Sequence, residues 1–311
     1  MVELPRPFFT LNDLFKAYRK AKTDSFYDRG HFNVLAFSAF EQQLEKNLRK
    51  LLKLVREEDA SWMNDLSFIG TSSYIPKSLG QPPQADNRSI HFATLDPLQD
   101  WSSQCSSSKK LVEATFRQVI IPTVSYQIVS ALWLMKVGFR FDDVIDRNLS
   151  YAHEMRRTGK AGPLAEESNA LFVPYMSGYR AWRSKGLEAM RTALESKRSI
   201  VAVTMDVKQF YHRVSPKFLV NDLFLKRLGI SLSADELRFT RDFVQSLTVW
   251  YDATPDKKVR KEGALPVGLS ASRVISNVLL AEFDRIAAVK LNAIYYGRYA
   301  DDIFLVVDAQ K

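Results

Sequence analysis

Two adjacent carboxylates, Asp301 and Asp302, stand between apolar runs in the last part of this 311-residue chain. Leu291-Asn-Ala-Ile-Tyr-Tyr-Gly-Arg298 leads into Tyr299-Ala300-Asp301-Asp302, and Ile303-Phe-Leu-Val-Val307 follows. The β-branched and aromatic bias on both sides predicts strand, turn, strand. Aspartate favours turns in any case, so an exposed Asp-Asp turn is one reading. The other is a pair of acids at the tip of a buried hairpin, costly unless a cation neutralises them. A third acid, Asp206, ends Ser199-Ile-Val-Ala-Val-Thr-Met-Asp206, which predicts a buried strand. Three converging carboxylates supply the hard oxygen ligands that Mg²⁺ takes, with positions left for water and phosphate. Two such ions activate a hydroxyl for in-line attack on phosphorus and stabilise the leaving group. Like charges this close oppose joint ionisation, so metal binding is expected to drive their deprotonation.

The elements that must position these acids are legible upstream. Residues 10–58 predict helix, with Phe37, Phe40, Leu44, Leu48, Leu51 and Val55 on one apolar stripe. Residues 70–109 read as mostly irregular with short strands. Residues 111–121 predict a strand turning at Pro122, then a helix through Tyr126, Val129, Leu132 and Leu134. A polar loop is expected at 156–169. Pro216 to Leu228 and Ser233 to Trp250 predict helices, the second with Ser233 as N-cap and Glu236 three residues on. The loop Gly263-Ala-Leu-Pro-Val-Gly268 leads into a helix from about Ser272 to Val289. The order of elements gives an α+β fold in which helices cover one face of an antiparallel sheet.

Composition narrows the chemistry. A net charge of +9, from 44 basic and 35 acidic residues, favours a polyanionic partner, nucleic acid first. Mean hydropathy is −0.19, and no run approaches the ~18 apolar residues of a membrane span. Met1-Val-Glu-Leu-Pro-Arg-Pro lacks the layout of a secretory signal. The lone Cys105 excludes an internal disulfide and predicts a cytoplasmic location. Scattered histidines argue against zinc, and no GxxxxGK[ST] loop argues for a P-loop hydrolase.

In ordered blocks, the chain resembles a reverse transcriptase. Asp206-Val-Lys-Gln-Phe210-Tyr211 is similar to the first catalytic block, and Leu265-Pro266-Val-Gly268-Leu-Ser-Ala-Ser272-Arg-Val-Ile-Ser-Asn277 to the second. Tyr299-Ala300-Asp301-Asp302 is similar to the third. Upstream, Phe116-Arg117-Gln-Val-Ile-Ile-Pro122 and Tyr175-Met-Ser-Gly178-Tyr179-Arg180 resemble fingers blocks. The resemblance implies a right-hand polymerase. Residues 1–105 would form an N-terminal helical region with an irregular loop, 106–198 the fingers and 199–311 the palm.

The same resemblance implies roles. Asp206, Asp301 and Asp302 would bind two Mg²⁺ ions, or Mn²⁺, with the Val207 carbonyl assisting. Tyr211, with Phe210 beside it, would lie under the incoming sugar and exclude a 2′-hydroxyl, favouring dNTPs. Arg117 would contact the triphosphate, in competition with Lys109, Lys110 and Arg180. Gly268 would admit the backbone close to the nucleotide, and Pro266, Ser272, Asn277 and Tyr299 would touch template or primer. Val267 and Arg273 depart from the commoner Gln and Pro. With Ala17-Tyr-Arg-Lys-Ala-Lys22 and Phe40-Glu-Gln-Gln-Leu-Glu-Lys-Asn-Leu48, these departures resemble the bacterial abortive-infection and defence lineage.

The implied activity is RNA-templated or protein-primed DNA synthesis in antiphage defence, with an RNA template or non-coding RNA, a DNA product and dNTPs as partners. A non-catalytic subunit that binds RNA or protein, and an RNA-dependent RNA polymerase, are the alternatives. No thumb is expected within these residues; a thumb-bearing partner chain, a further C-terminal region, or a different way of holding the duplex are the alternatives. Apolar N-terminal helix faces leave room for self-association.

Overall fold

A computed structural model describes residues 7–27, 33–56, 61–79, 99, 102, 106, 114–159 and 162–309. Cys105, Lys109, Lys110 and most of the stretch 80–113 lie outside the described residues.

The N-terminal stripe folds as expected into α1 (Leu11–Tyr27), α2 (Val34–Glu41) and α3 (Leu44–Arg56). Phe37, Leu48, Leu51 and Val55 are buried, and Phe40 and Leu44 pack at the margin. Residues 70–79, part of the stretch expected to be mostly irregular with short strands, form strand β1 (Gly70–Leu79). It pairs antiparallel with β2 (Ala114–Pro122), with a register shift between Pro76 and Ser78. Polar Thr and Ser disguise it, because an edge hairpin needs only a half-buried face.

Beyond Pro122, Thr123 caps α5 (Val124–Trp133), accepting from the Tyr126 amide at 3.1 Å; the short α4 (Leu66–Ile69) precedes β1. A π-helical turn, Leu134–Gly138, carries the rod on into α6 (Phe139–Asp143). Trp133 stacks on Phe243 at 5.2 Å, joining this rod to α9 (Ala234–Asp252), which begins with the expected Ser233–Glu236 capping box. One hydrophobic core runs from Phe9 to Ala281 and draws on all three expected segments.

The second sheet has the order β3-β5-β4, all antiparallel: β3 (Ile200–Asp206), β4 (Tyr295–Tyr299) and β5 (Asp302–Asp308). Helices cover both faces of the β4–β5 pair, not one face as expected. On one face, α7 (Tyr175–Glu195) sets Trp182 against Phe304 and Val306. A Cβ on Gly186 would meet the Phe304 ring at 2.1 Å, so glycine sets how closely helix and strand approach. On the other face, Ala287 of α11 (Ala281–Lys290) packs on Tyr296, Ile303 and Leu305.

The single helix expected over 272–289 is two, α10 (Ser270–Leu279) and α11, meeting at Leu280, which leaves helical geometry at ψ 2°. Residues 216–228 also divide. A 3₁₀ turn starts at Pro216, and Asn221 then caps α8 (Asp222–Leu228) through the Phe224 amide at 3.0 Å.

The expectation of a buried β3 is overturned. Val201 and Met205 are 46% and 42% exposed: α7 also touches β3, but these two side chains stand opposite Val307 and Ile303, on the face that α11 covers at the β4–β5 pair.

Candidate active site

Backbone register brings the three aspartates together. Asp206 is directly opposite Asp302 in the β3–β5 ladder, and Asp302 is opposite Tyr299 in the β4–β5 ladder. Residues directly opposite one another share a face with Cβ atoms about 5 Å apart. The two-residue turn Ala300-Asp301 closes the hairpin with Ala300 at φ +55°, the positive value that tight hairpins require. The Val207 amide donates to the Asp301 carbonyl at 3.0 Å, which ties the end of β3 to the turn.

Burial does not drive the chemistry here. Asp206 and Asp302 are exposed and Asp301 is half-buried, although the hairpin beneath them is buried. The expected cost of burying two acids is therefore avoided by placing them at its wet tip. Among the described residues, no three His, Cys, Asp or Glu side chains are grouped to hold a metal as they lie. The donor set nonetheless fits a hard divalent cation: carboxylates only, on strand ends locked in register and open to water.

Tyr211, half-buried, joins the acids to the rest of the site. The Ser276 hydroxyl donates to its phenol at 3.1 Å, and His153 Nε2 lies 3.5 Å away. Burial raises the phenol pKa. The Ser276 bond and the charges of Arg273 and Arg117 oppose that rise, whereas Asp301 adds to it. Tyr211, Arg117, Arg273 and Asp301 thus share one electrostatic environment. Burial foremost, then the positive charges of Arg273, Arg298 and Arg147, lowers the His153 pKa to about 3 and keeps the ring neutral.

The Pro266-Val267-Gly268 loop docks on β2. The Val267 carbonyl accepts from the Ile120 amide at 3.0 Å, and Gly268 takes φ +100°, which a side chain would oppose. Arg117 is exposed on the same strand.

Other candidates sit elsewhere than expected. Phe210 is a core residue, in edge contact with Tyr211. Pro266 is buried in its loop. Ser272 is fully buried and its hydroxyl has no hydrogen-bond partner among the described residues. Asn277 is 1% exposed, and its amide donates to the Ala152 carbonyl at 2.8 Å. These burials leave Ser272 and Asn277 no surface for template or primer. Tyr299 is half-buried, its hydroxyl donating to the Tyr175 carbonyl at 3.2 Å and its ring 5.4 Å from Tyr179. Arg180 is exposed on α7.

A buried cation that the sequence reading missed lies behind the turn. Arg298 is 0% exposed and forms a two-pronged ion pair with Asp284, Nε to Oδ1 at 2.8 Å and NH2 to Oδ2 at 2.6 Å. The Tyr296 hydroxyl donates to the same carboxylate at 2.7 Å. Strand alternation held the signal: Arg298 shares a face with Tyr296, which packs inward.

The family model described as reverse transcriptase (RNA-dependent DNA polymerase) matches residues 108–311, well over half of the chain. This chain belongs to the reverse transcriptase family. No curated protein matches it significantly. The family accounts for a nucleic-acid template and dNTP substrates, and its members use divalent metals such as Mg²⁺. Among the described residues of this reverse transcriptase, no helix is long and apolar enough to cross a membrane.

Proposed function

We propose that this chain is an RNA-directed DNA polymerase whose catalytic centre is formed by Asp206 and Asp302, opposite one another in the ladder, and by Asp301 in the adjoining turn. The observation that carries the reading is the register: a strand-end aspartate directly opposite the second acid of the hairpin. Asp206, Asp301 and Asp302 would hold two divalent cations, which when bound lower the pKa of the attacking hydroxyl and neutralise charge on the triphosphate. The chain's own groups do the rest. Tyr211 stands neutral beneath the sugar position and excludes a 2′-hydroxyl by bulk. Arg117 offers a planar fork to phosphate oxygens. Gly268 lets the loop backbone approach the nascent pair.

An antiphage role, in the abortive-infection lineage, is the narrower proposal. Its support is Arg273, one of the departures from the commoner pattern. Arg273 NH1 pairs with Asp24 of α1 at 2.7 Å, and its guanidinium lies 5.2 Å from the Phe172 ring. The Ser270 hydroxyl also bonds Asp24. The second catalytic block and the N-terminal helices are thus built as one unit.

The test is incorporation of labelled dNTPs on an RNA template by the full native assembly, with Mg²⁺ or Mn²⁺. Incorporation lost in Asp301→Ala, with the fold intact, supports the polymerase. Tight RNA binding without incorporation in the wild type would instead favour a non-catalytic subunit. Tyr211→Ala should admit ribonucleotides; unchanged sugar choice removes the gate assignment.

A further inference from the structure

The Arg298 side chain uses every hydrogen-bond donor it has. Two N–H groups bind Asp284, as above. NH1 donates to Asn277 Oδ1 and to the Ala300 carbonyl, both at 2.8 Å, and NH2 donates to the Asn277 carbonyl at 3.1 Å. Its own backbone is taken as well: its amide donates to the Leu149 carbonyl at 2.7 Å, and its carbonyl accepts from the Tyr151 amide at 2.9 Å. Guanidinium has five N–H donors, so the count is complete.

A buried ion pair is a poor stabilising device, since well-packed apolar residues of similar volume often serve as well or better. Stability alone does not explain this arginine. One of its donors reaches where an apolar residue could not, the carbonyl of Ala300. That residue holds φ +55° and directly precedes Asp301. The acceptors come from α10, α11 and the turn itself, so the guanidinium fixes the turn against both helices.

We infer that Arg298 is a positioning residue for the metal-bearing turn: it anchors Ala300 to Asn277 and Asp284 and thereby sets where Asp301 and Asp302 stand relative to Asp206. This rests on the reading of those aspartates as metal ligands. Lysine at this position would keep the charge but not the planar fork or the five donors. Groups that orient metal ligands from behind typically change metal affinity by roughly 10–100-fold when removed.

The experiment measures Mn²⁺ binding to the full chain by electron paramagnetic resonance, alongside thermal unfolding. Four variants are compared with wild type: Arg298→Lys, Asn277→Ala, Asp301→Ala and Asn221→Ala. The last lowers stability through the cap of α8, remote from the hairpin. The expected result is Mn²⁺ affinity weakened roughly 10–100-fold in Arg298→Lys and less in Asn277→Ala, and unchanged in Asn221→Ala despite its lower midpoint. Asn277→Ala keeps the Asp284 pair, so it carries the test if Arg298→Lys does not fold. Wild-type affinity in a folded Arg298→Lys or Asn277→Ala overturns the positioning role and leaves the polymerase reading intact. A wild type without any Mn²⁺ site sensitive to Asp301→Ala overturns both.

Discussion

Strands β3 and β5 have nearly the same apolar character and opposite fates. In β5, Ile303, Phe304, Leu305 and Val306 are all buried, because α7 covers one face and α11 the other. In β3, Val201 and Met205 stay exposed although they stand opposite Val307 and Ile303 in the same sheet. An apolar run thus marks a strand, whereas burial depends on what lies over it. The proposed catalytic centre spans this boundary. Asp301 and Asp302 stand on a clamped, double-covered hairpin, and Asp206 stands on an edge strand that α7 touches but leaves largely exposed, joined to it by the ladder.

The contrast can be broken at several points. The largest effect expected is on chemistry: Asp301→Ala should reduce dNTP incorporation on the order of 10³-fold or more, since a lost metal contact forfeits several kcal/mol of transition-state stabilisation. Its thermal midpoint should stay near the wild-type value. On the covered strand, Phe304→Ala should cost about 3–5 kcal/mol in denaturant unfolding. Gly186→Ala, which drives a Cβ into the Phe304 ring, should cost about 1–3 kcal/mol by overpacking. On β3, where the side chain is exposed, Val201→Ala should cost no more than about 0.5 kcal/mol. Comparable losses at Phe304 and Val201 would show that Val201 is buried in solution.

A pH dependence sharpens the same picture behind the proposed centre. His153 is held neutral in the folded chain, with its pKa lowered to about 3 from 6.5. Between those values the unfolded chain binds a proton that the folded chain refuses. Stability from this group is therefore complete above pH 6.5 and falls as the pH drops toward 3. His153→Asn removes the titration and keeps a residue tolerant of φ +55°. The stability slope over that window should flatten by at most about 1.4 kcal/mol per pH unit. An unaltered slope would show that His153 is freely protonated when folded.

Much of this was legible in the sequence. Chain-local signals carried it: the hairpin around Asp301, the strand ending at Asp206, the Ser233–Glu236 cap and the Pro266–Gly268 loop. What escaped depends on contacts distant in sequence. Nothing local separates the exposed Val201 from the buried Val306, since α7 and α11 decide it. Asn277 and Ser272 read as polar contacts for a strand of nucleic acid, yet α10 turns both inward. Arg298 read only as the residue before a motif. Its partner Asp284 lies on α11, re-aimed by the break at Leu280, and no helical periodicity announces that break.

The claim at the centre is that Asp206, Asp301 and Asp302 act as one site because the register unites them. It is tested most directly by RNA-templated dNTP incorporation in Asp206→Ala, Asp302→Ala and the double variant, assayed with Mg²⁺ in the full native assembly. A single unit predicts that each single variant loses nearly all activity and that the double is no worse than either. Losses that multiply, or synthesis that survives in the double variant, would contradict it.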